Sequence, residues 1–131
     1  MKNPNELAKV GEYLTSPSQN AEQKRWHSIT AYIKYFNFNI GAELGVSTGL
    51  NFDSLMQLNK NLKLYGIDCF ESEGNELEQY DKGIYQGRTQ TDAIENAKRI
   101  EAKYPNRARM IFKRTDKACE IIPDGHLDFI F

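Results

Sequence analysis

The chain has 131 residues, 40% of them hydrophobic and 27% charged, which is room for one globular domain and excludes a disordered or fibrous protein. A formal net charge of −1 excludes a strong global pull toward nucleic acid or an anionic membrane. Cys69 and Cys119 are the two cysteines, far apart and without CxxC or histidine spacing, so they read as reduced thiols rather than a disulfide or zinc framework.

The N-terminus, Met1-Lys2-Asn3-Pro4-Asn5-Glu6, lacks a signal-peptide core, and no later run reaches membrane-spanning length. A cytoplasmic protein is expected. Asn3, Pro4 and Glu6 read as the cap, first turn and capping-box partner of a helix over residues 3–14. Ser16-Pro17 interrupts the chain. A second helix is predicted over 18–36, where Trp26, Ile29, Ile33 and Phe36 fall at helical spacing. Trp26 reads as a core anchor, and His27 as a surface residue or a substrate contact. Residues 1–36 thus form a helical lead-in to a domain over 37–131.

That domain opens with a strand over 39–44, followed by a helix whose stripe is Phe52, Leu55, Met56 and Asn59, widened by Leu58. A second strand is predicted over 62–68, completing a β-α-β unit with a right-handed crossover. Residues 70–88 hold three glycines, five acidic residues and two tyrosines. A segment of that length reads either as a lid or as a solvated insertion with a short helix near 76–80. Helical periodicity returns over 89–104 through Ala93, Ala97, Ile100 and Tyr104. A third strand over 108–113 alternates Arg109, Ile111 and Lys113 with Met110 and Phe112, a pattern suited to a sheet edge. A short helix over 116–122, a Pro123-Asp124-Gly125 turn and a fourth strand over 127–131 complete the chain.

Alternating helices and strands predict an α/β fold with a Rossmann-like open parallel sheet. With strand 3 at an edge the spatial order is 3-2-1-4, and ligand belongs at the carboxyl ends of strands 1 and 4. The stretch Ile40-Gly41-Ala42-Glu43-Leu44-Gly45-Val46-Ser47-Thr48-Gly49-Leu50 is a strand ending near a carboxylate and turning through glycines into a helix. Such a turn presents backbone N–H groups to a small ligand. It departs from the dinucleotide fingerprint G-x-G-x-x-G, because Ser47 stands at the middle glycine and Glu43 precedes the turn. A carboxylate repels a pyrophosphate and attracts a cationic ligand. Asp68 follows Gly49 by 19 residues and ends strand 2, the spacing at which an acidic side chain meets ribose hydroxyls.

Ala42-Glu43-Leu44-Gly45-Val46-Ser47-Thr48-Gly49 resembles motif I of class I S-adenosylmethionine-dependent methyltransferases, and Tyr65-Gly66-Ile67-Asp68-Cys69-Phe70-Glu71 resembles their strand-2 acidic motif. The Asp-x-Phe-Glu form is similar to the small-molecule and sugar O-methyltransferases of the macrocin type. Arg114-Thr115-Asp116 through Phe131 resembles the strand 3 to strand 4 segment, so the likeness covers residues 22–131. It implies S-adenosyl-L-methionine as cofactor, with Gly45, Val46, Ser47, Thr48 and Gly49 under its methionine part and Glu43 near the amino end. Asp68 would hold the ribose, Cys69 and Phe70 would line the adenine, and Thr115 and Asp116 would sit near the adenine amino group. Many members have glycine where Ser47 stands.

Methyl transfer needs an acceptor held in line with the donor and a group that removes its proton. In the resembled branch an acidic motif for base or divalent metal follows strand 4, and here that strand ends at Phe131. His126 reads as a surface residue at the amino end of the sheet, and Asp128 as a structural hydrogen-bonding group. No catalytic residue or metal ligand is therefore assigned. The expected protein is a fragment carrying the cofactor-binding half, its strand-4 edge left open for a further chain or a second copy. A small-molecule methyl acceptor is its expected partner, without nucleic acid or membrane. Two other readings are a nicotinamide-dependent oxidoreductase fragment and a non-enzymatic RNA- or partner-binding module using the basic residues between Lys98 and Lys117.

Overall fold

A computed structural model of the chain describes residues 24–70 and 90–131. The helix expected at 3–14 and the lid or insertion expected beyond residue 70 lie outside the described residues. The described elements are α1 (Arg25–Phe36), β1 (Ile40–Leu44), α2 (Leu50–Leu58), β2 (Lys63–Ile67), α3 (Gln90–Lys103), β3 (Ala108–Ile111), α4 (Thr115–Ala118) and β4 (Phe129–Ile130).

The four strands form one parallel sheet in the order β3-β2-β1-β4. In its centre, β1 is paired with β2 from Ile40↔Lys63 to Leu44↔Ile67 and with β4 at Gly41↔Phe129 and Ala42↔Ile130. The charged alternation of the third strand is explained by its edge position: Arg109 is exposed while Ala108, Met110 and Ile111 are buried. That strand stops at Ile111 rather than Lys113, because Phe112 and Lys113 are already exposed. β4 is assigned only at Phe129–Ile130, yet its hydrogen bonding to β1 runs from Asp128 N–H on Ile40 O to Leu44 N–H on Phe131 O.

One face of the sheet carries α1, α2 and α3. Ile33, Phe52, Leu55, Met56, Leu64, Ala97 and Ile100 meet in a single apolar cluster there, with Trp26 and Ile29 packed against it. Each large side chain so buried stabilises the fold by about 1.5–3 kcal/mol. Leu58 does not widen the α2 stripe: it is 42% exposed. Asn59, on the apolar side, is buried because its Nδ2 donates to Thr30 Oγ1 and to Leu55 O, both at 2.9 Å. The amide thus closes the end of α2 and ties it to α1. His27 is half-buried, and its Nδ1 accepts the Lys24 backbone N–H at 3.1 Å, closing the first turn of α1.

The other face is thinner. Ala42, Ile67, Ile111 and Ala118 form a small cluster under Tyr65, Ile121, Ile122 and Leu127. The helix over 116–122 shortens to Thr115–Ala118, and the chain then crosses this face in turns. His126 is half-buried rather than a surface residue, with Nε2 lying 3.1 Å from Tyr65 Oη. Asp128 has the structural role expected: Oδ2 accepts the backbone N–H groups of Asn39 at 2.7 Å and Ile40 at 3.0 Å. Those two bonds fix where β1 begins against β4 and hold the Asp128 pKa below its ordinary value.

Candidate functional site at the carboxyl ends of β1 and β2

β1 runs into a tight turn because three residues in it take left-handed backbone angles, Gly45 at φ 80°, Ser47 at 52° and Gly49 at 77°. Gly49 has a second constraint. A Cβ there would lie 2.4 Å from Ile100 Cδ1, so the buried end of the Ile100 side chain would have to move to admit one. Val46 is buried in the core, which anchors the middle of the turn to the sheet. Asn96 Nδ2 donates to Thr48 O, so α3 also braces it.

The expected presentation of N–H groups is only partly realised. Gly45 N–H donates to Ile67 O at 2.9 Å, Gly49 N–H to Val46 O at 2.9 Å and Ser47 N–H to Asp68 Oδ2 at 2.9 Å. Three donors that a pyrophosphate cradle would use are therefore engaged inside the protein. In place of a nest for an anion, the turn is flanked by two carboxyl groups.

Asp68 continues from the tip of β2. Its Oδ1 accepts the Phe70 N–H at 3.0 Å while Oδ2 holds Ser47, and the two oxygens keep further lone pairs for a ligand hydroxyl. Asp68, Gly45, Cys69, Arg114, Thr115 and Asp116 line one groove of about 520 Å³. The sequence-predicted residues Gly45, Asp68, Cys69, Thr115 and Asp116 thus come together at the carboxyl end of the sheet. Phe70 does not join them through its ring. It is 3% exposed and belongs to the core, its ring 5.6 Å from that of Phe112, because the left-handed backbone at Phe70 (φ 50°) turns the chain there. The placement corrects the expectation that its side chain lines an adenine.

Glu43 is buried beneath the turn. Asn51 Nδ2 donates to its Oε1 at 3.2 Å, whereas Glu43 Oε2 and Asn51 Oδ1 are buried without hydrogen-bond partners. Burial raises the Glu43 pKa from 4.5 to about 7, with the Asn51 hydrogen bond and Arg25 opposing the rise and Asp68 adding to it. Asn51 is the residue that sequence reasoning missed. Its signal was a polar side chain in the first turn of a helix that is otherwise apolar at Phe52, Leu55 and Met56.

A slightly larger recess of about 600 Å³, lined by Lys63, Tyr65, Arg107 and His126, lies at the opposite end of the strands. It is lined by no residue of the turn and not by Asp68, whereas the smaller groove has Gly45 and Asp68 in its wall, and we place the candidate site there. Four of the eight basic residues between Lys98 and Lys117 pair as follows within the protein. Lys103 pairs with Asp53 at 2.8 Å, Arg107 Nη1 donates to Asn59 O and Leu62 O, Arg114 pairs with Asp116 and Lys117 with Glu120. Both cysteines are free thiols. Among the described residues, no helix is long and apolar enough to cross a membrane, and no three His, Cys, Asp or Glu side chains group as metal ligands.

No protein-family model and no curated protein sequence matches the chain. Among solved structures, the fold is similar to the crystal structure of a candidate caffeoyl-CoA O-methyltransferase from Staphylococcus aureus, with a TM-score of 0.57 and 17% sequence identity. The match covers 98% of this chain and 60% of that one, so the chain spans less than two thirds of its neighbour's length. What the likeness shows is the fold: an α/β Rossmann-like sheet of order 3-2-1-4 that a methyltransferase-type structure shares.

Proposed function

We propose that this chain carries the cofactor-binding part of a class I S-adenosylmethionine-dependent methyltransferase of the macrocin-type branch, which methylates a hydroxyl of a small molecule or sugar. The observation that carries the reading is the pair of carboxyl groups on either side of one glycine turn. Glu43 lies beneath it with an unpartnered oxygen, and Asp68 is hydrogen-bonded to it at 2.9 Å. A ligand with a cationic amino group and a ribose satisfies both, whereas a pyrophosphate would meet negative charge and N–H groups already in use.

S-adenosylmethionine, when bound, supplies a methyl group on a sulfonium centre. The residues of this chain hold and orient it: Gly45 to Gly49 pass under the methionine part, and Glu43 offers its charge to the amino group. Asp68 accepts the ribose hydroxyls, while Cys69, Thr115 and Asp116 wall the groove around the base. A methyl acceptor approaches from the carboxyl ends of β1 and β4. The outer edge of β4, where Ile130 is 59% exposed, is the edge at which a second copy of the chain would pair.

Calorimetric titration with S-adenosylhomocysteine and, separately, with NADH tests the reading. One-to-one binding of S-adenosylhomocysteine without binding of NADH is expected. Binding of NADH in preference would overturn it.

A further inference from the structure

Glu43 and Asn51 are 2% and 7% exposed, and a single hydrogen bond joins them, from Asn51 Nδ2 to Glu43 Oε1. Each then has one oxygen left, Glu43 Oε2 and Asn51 Oδ1, buried and without a donor. Two orphaned acceptors on two side chains already bonded to each other are costly as they stand. One proton answers both. On Glu43 Oε2 it creates an O–H donor, and the acceptor that lacks a donor belongs to the amide already attached to the other carboxyl oxygen. Carboxylic acid and primary amide then each give one hydrogen bond and take one.

We propose that Glu43 and Asn51 form a neutral acid–amide pair in the ligand-free protein, and that a cationic amine arriving at the turn expels the proton. Asn51 is then a positioning residue, storing Glu43 in its uncharged form until a positive charge calls for the carboxylate. The first half stands on the pair itself; the second rests on the site reading given above. The charged groups that act on Glu43 are Arg25 of α1, which favours the carboxylate, and Asp68 beyond β2, which opposes it. Burial outweighs them, in agreement with a pKa near 7. On binding, the Glu43 O–H bond breaks, the ligand ammonium keeps its protons, and one proton passes to the buffer.

The test has two arms. In the ligand-free chain, carbon-13 NMR follows the Glu43 side-chain carboxyl against pH. A midpoint near 7 is expected, and a midpoint at the ordinary glutamate value of about 4.3 overturns the pair. In Asn51→Asp two carboxyls share one proton, so the upper midpoint rises above that of the native chain; an unmoved midpoint also overturns it. The second arm is calorimetry with S-adenosylhomocysteine in two buffers of different ionisation enthalpy. Close to one proton is released per ligand at pH about 6 and close to none at pH about 8.5. Binding without proton release at the lower pH overturns the coupling. Failure to bind at either pH sinks the coupling together with the site reading, while the carboxyl midpoint still decides the pair.

Discussion

The Asp68 carboxylate accepts the backbone N–H of Ser47 at 2.9 Å, which ties the tip of β2 to the middle of the turn that follows β1. The residue proposed to meet a ribose is therefore also a structural clamp. The two roles separate by substitution. Asp68→Asn keeps one oxygen acceptor and loses the charge, whereas Asp68→Ala loses both backbone bonds. Ala is expected to cost about 1–3 kcal/mol of stability and Asn less, while both weaken S-adenosylhomocysteine binding at least about tenfold. Denaturant unfolding and calorimetry on the same samples check this.

Ser47 is held at φ 52° in a region that glycine visits freely. Ser47→Gly relieves that strain and enlarges the unfolded ensemble, so its net effect on unfolding stays within about 1 kcal/mol. Ser47→Val, β-branched and ill-suited to a positive φ, destabilises by more than about 1 kcal/mol. Thermal melts of the two variants should diverge in that direction.

Gly45 and Gly49 share a positive φ but not their surroundings. Nothing would lie within 4 Å of a Cβ at Gly45, whereas one at Gly49 would strike Ile100 at 2.4 Å. Gly45→Ala should cost only the backbone penalty of about 1–2 kcal/mol. Gly49→Ala adds overpacking against α3 of about 1–3 kcal/mol. Equal losses for the two variants in urea denaturation would show that the Ile100 side chain moves aside at no cost.

Because the Glu43 pKa is raised on folding, from 4.5 to about 7, its contribution to stability is fully present below about pH 4.5. It is lost as pH rises through 7, since only the folded chain resists ionising this group. The loss reaches up to about 3 kcal/mol. Glu43→Gln cannot ionise, so its stability relative to the native chain should climb between those pH values. A difference that stays flat across the range would show that Glu43 ionises as easily folded as unfolded.

Asp128 has the opposite sign. Hydrogen bonds from Asn39 and Ile40 lower its pKa on folding, so its stabilisation is present above the ordinary aspartate value of about 3.8 and fades as pH falls below it. The side chain is exposed, and Asp128→Ala should cost only about 1 kcal/mol. The lost protection should concentrate at the amides of Asn39 and Ile40, read by hydrogen exchange.

Much of this protein was legible in its residues. Hydrophobic period and charge placement were enough for the strand order, because an edge strand tolerates Arg109 where a central strand cannot. The glycine spacing of the turn and the 19-residue step to Asp68 marked the candidate site, since backbone angle and strand length are local properties. Tertiary structure decided the rest. It turned Phe70 into the core, drew three turn N–H groups into internal bonds, joined His126 to Tyr65, and set Asn51 against Glu43. Each of those outcomes depends on which atoms distant segments bring together once the sheet is packed. Periodicity tells which face of an element is buried, but not which buried oxygen finds a donor.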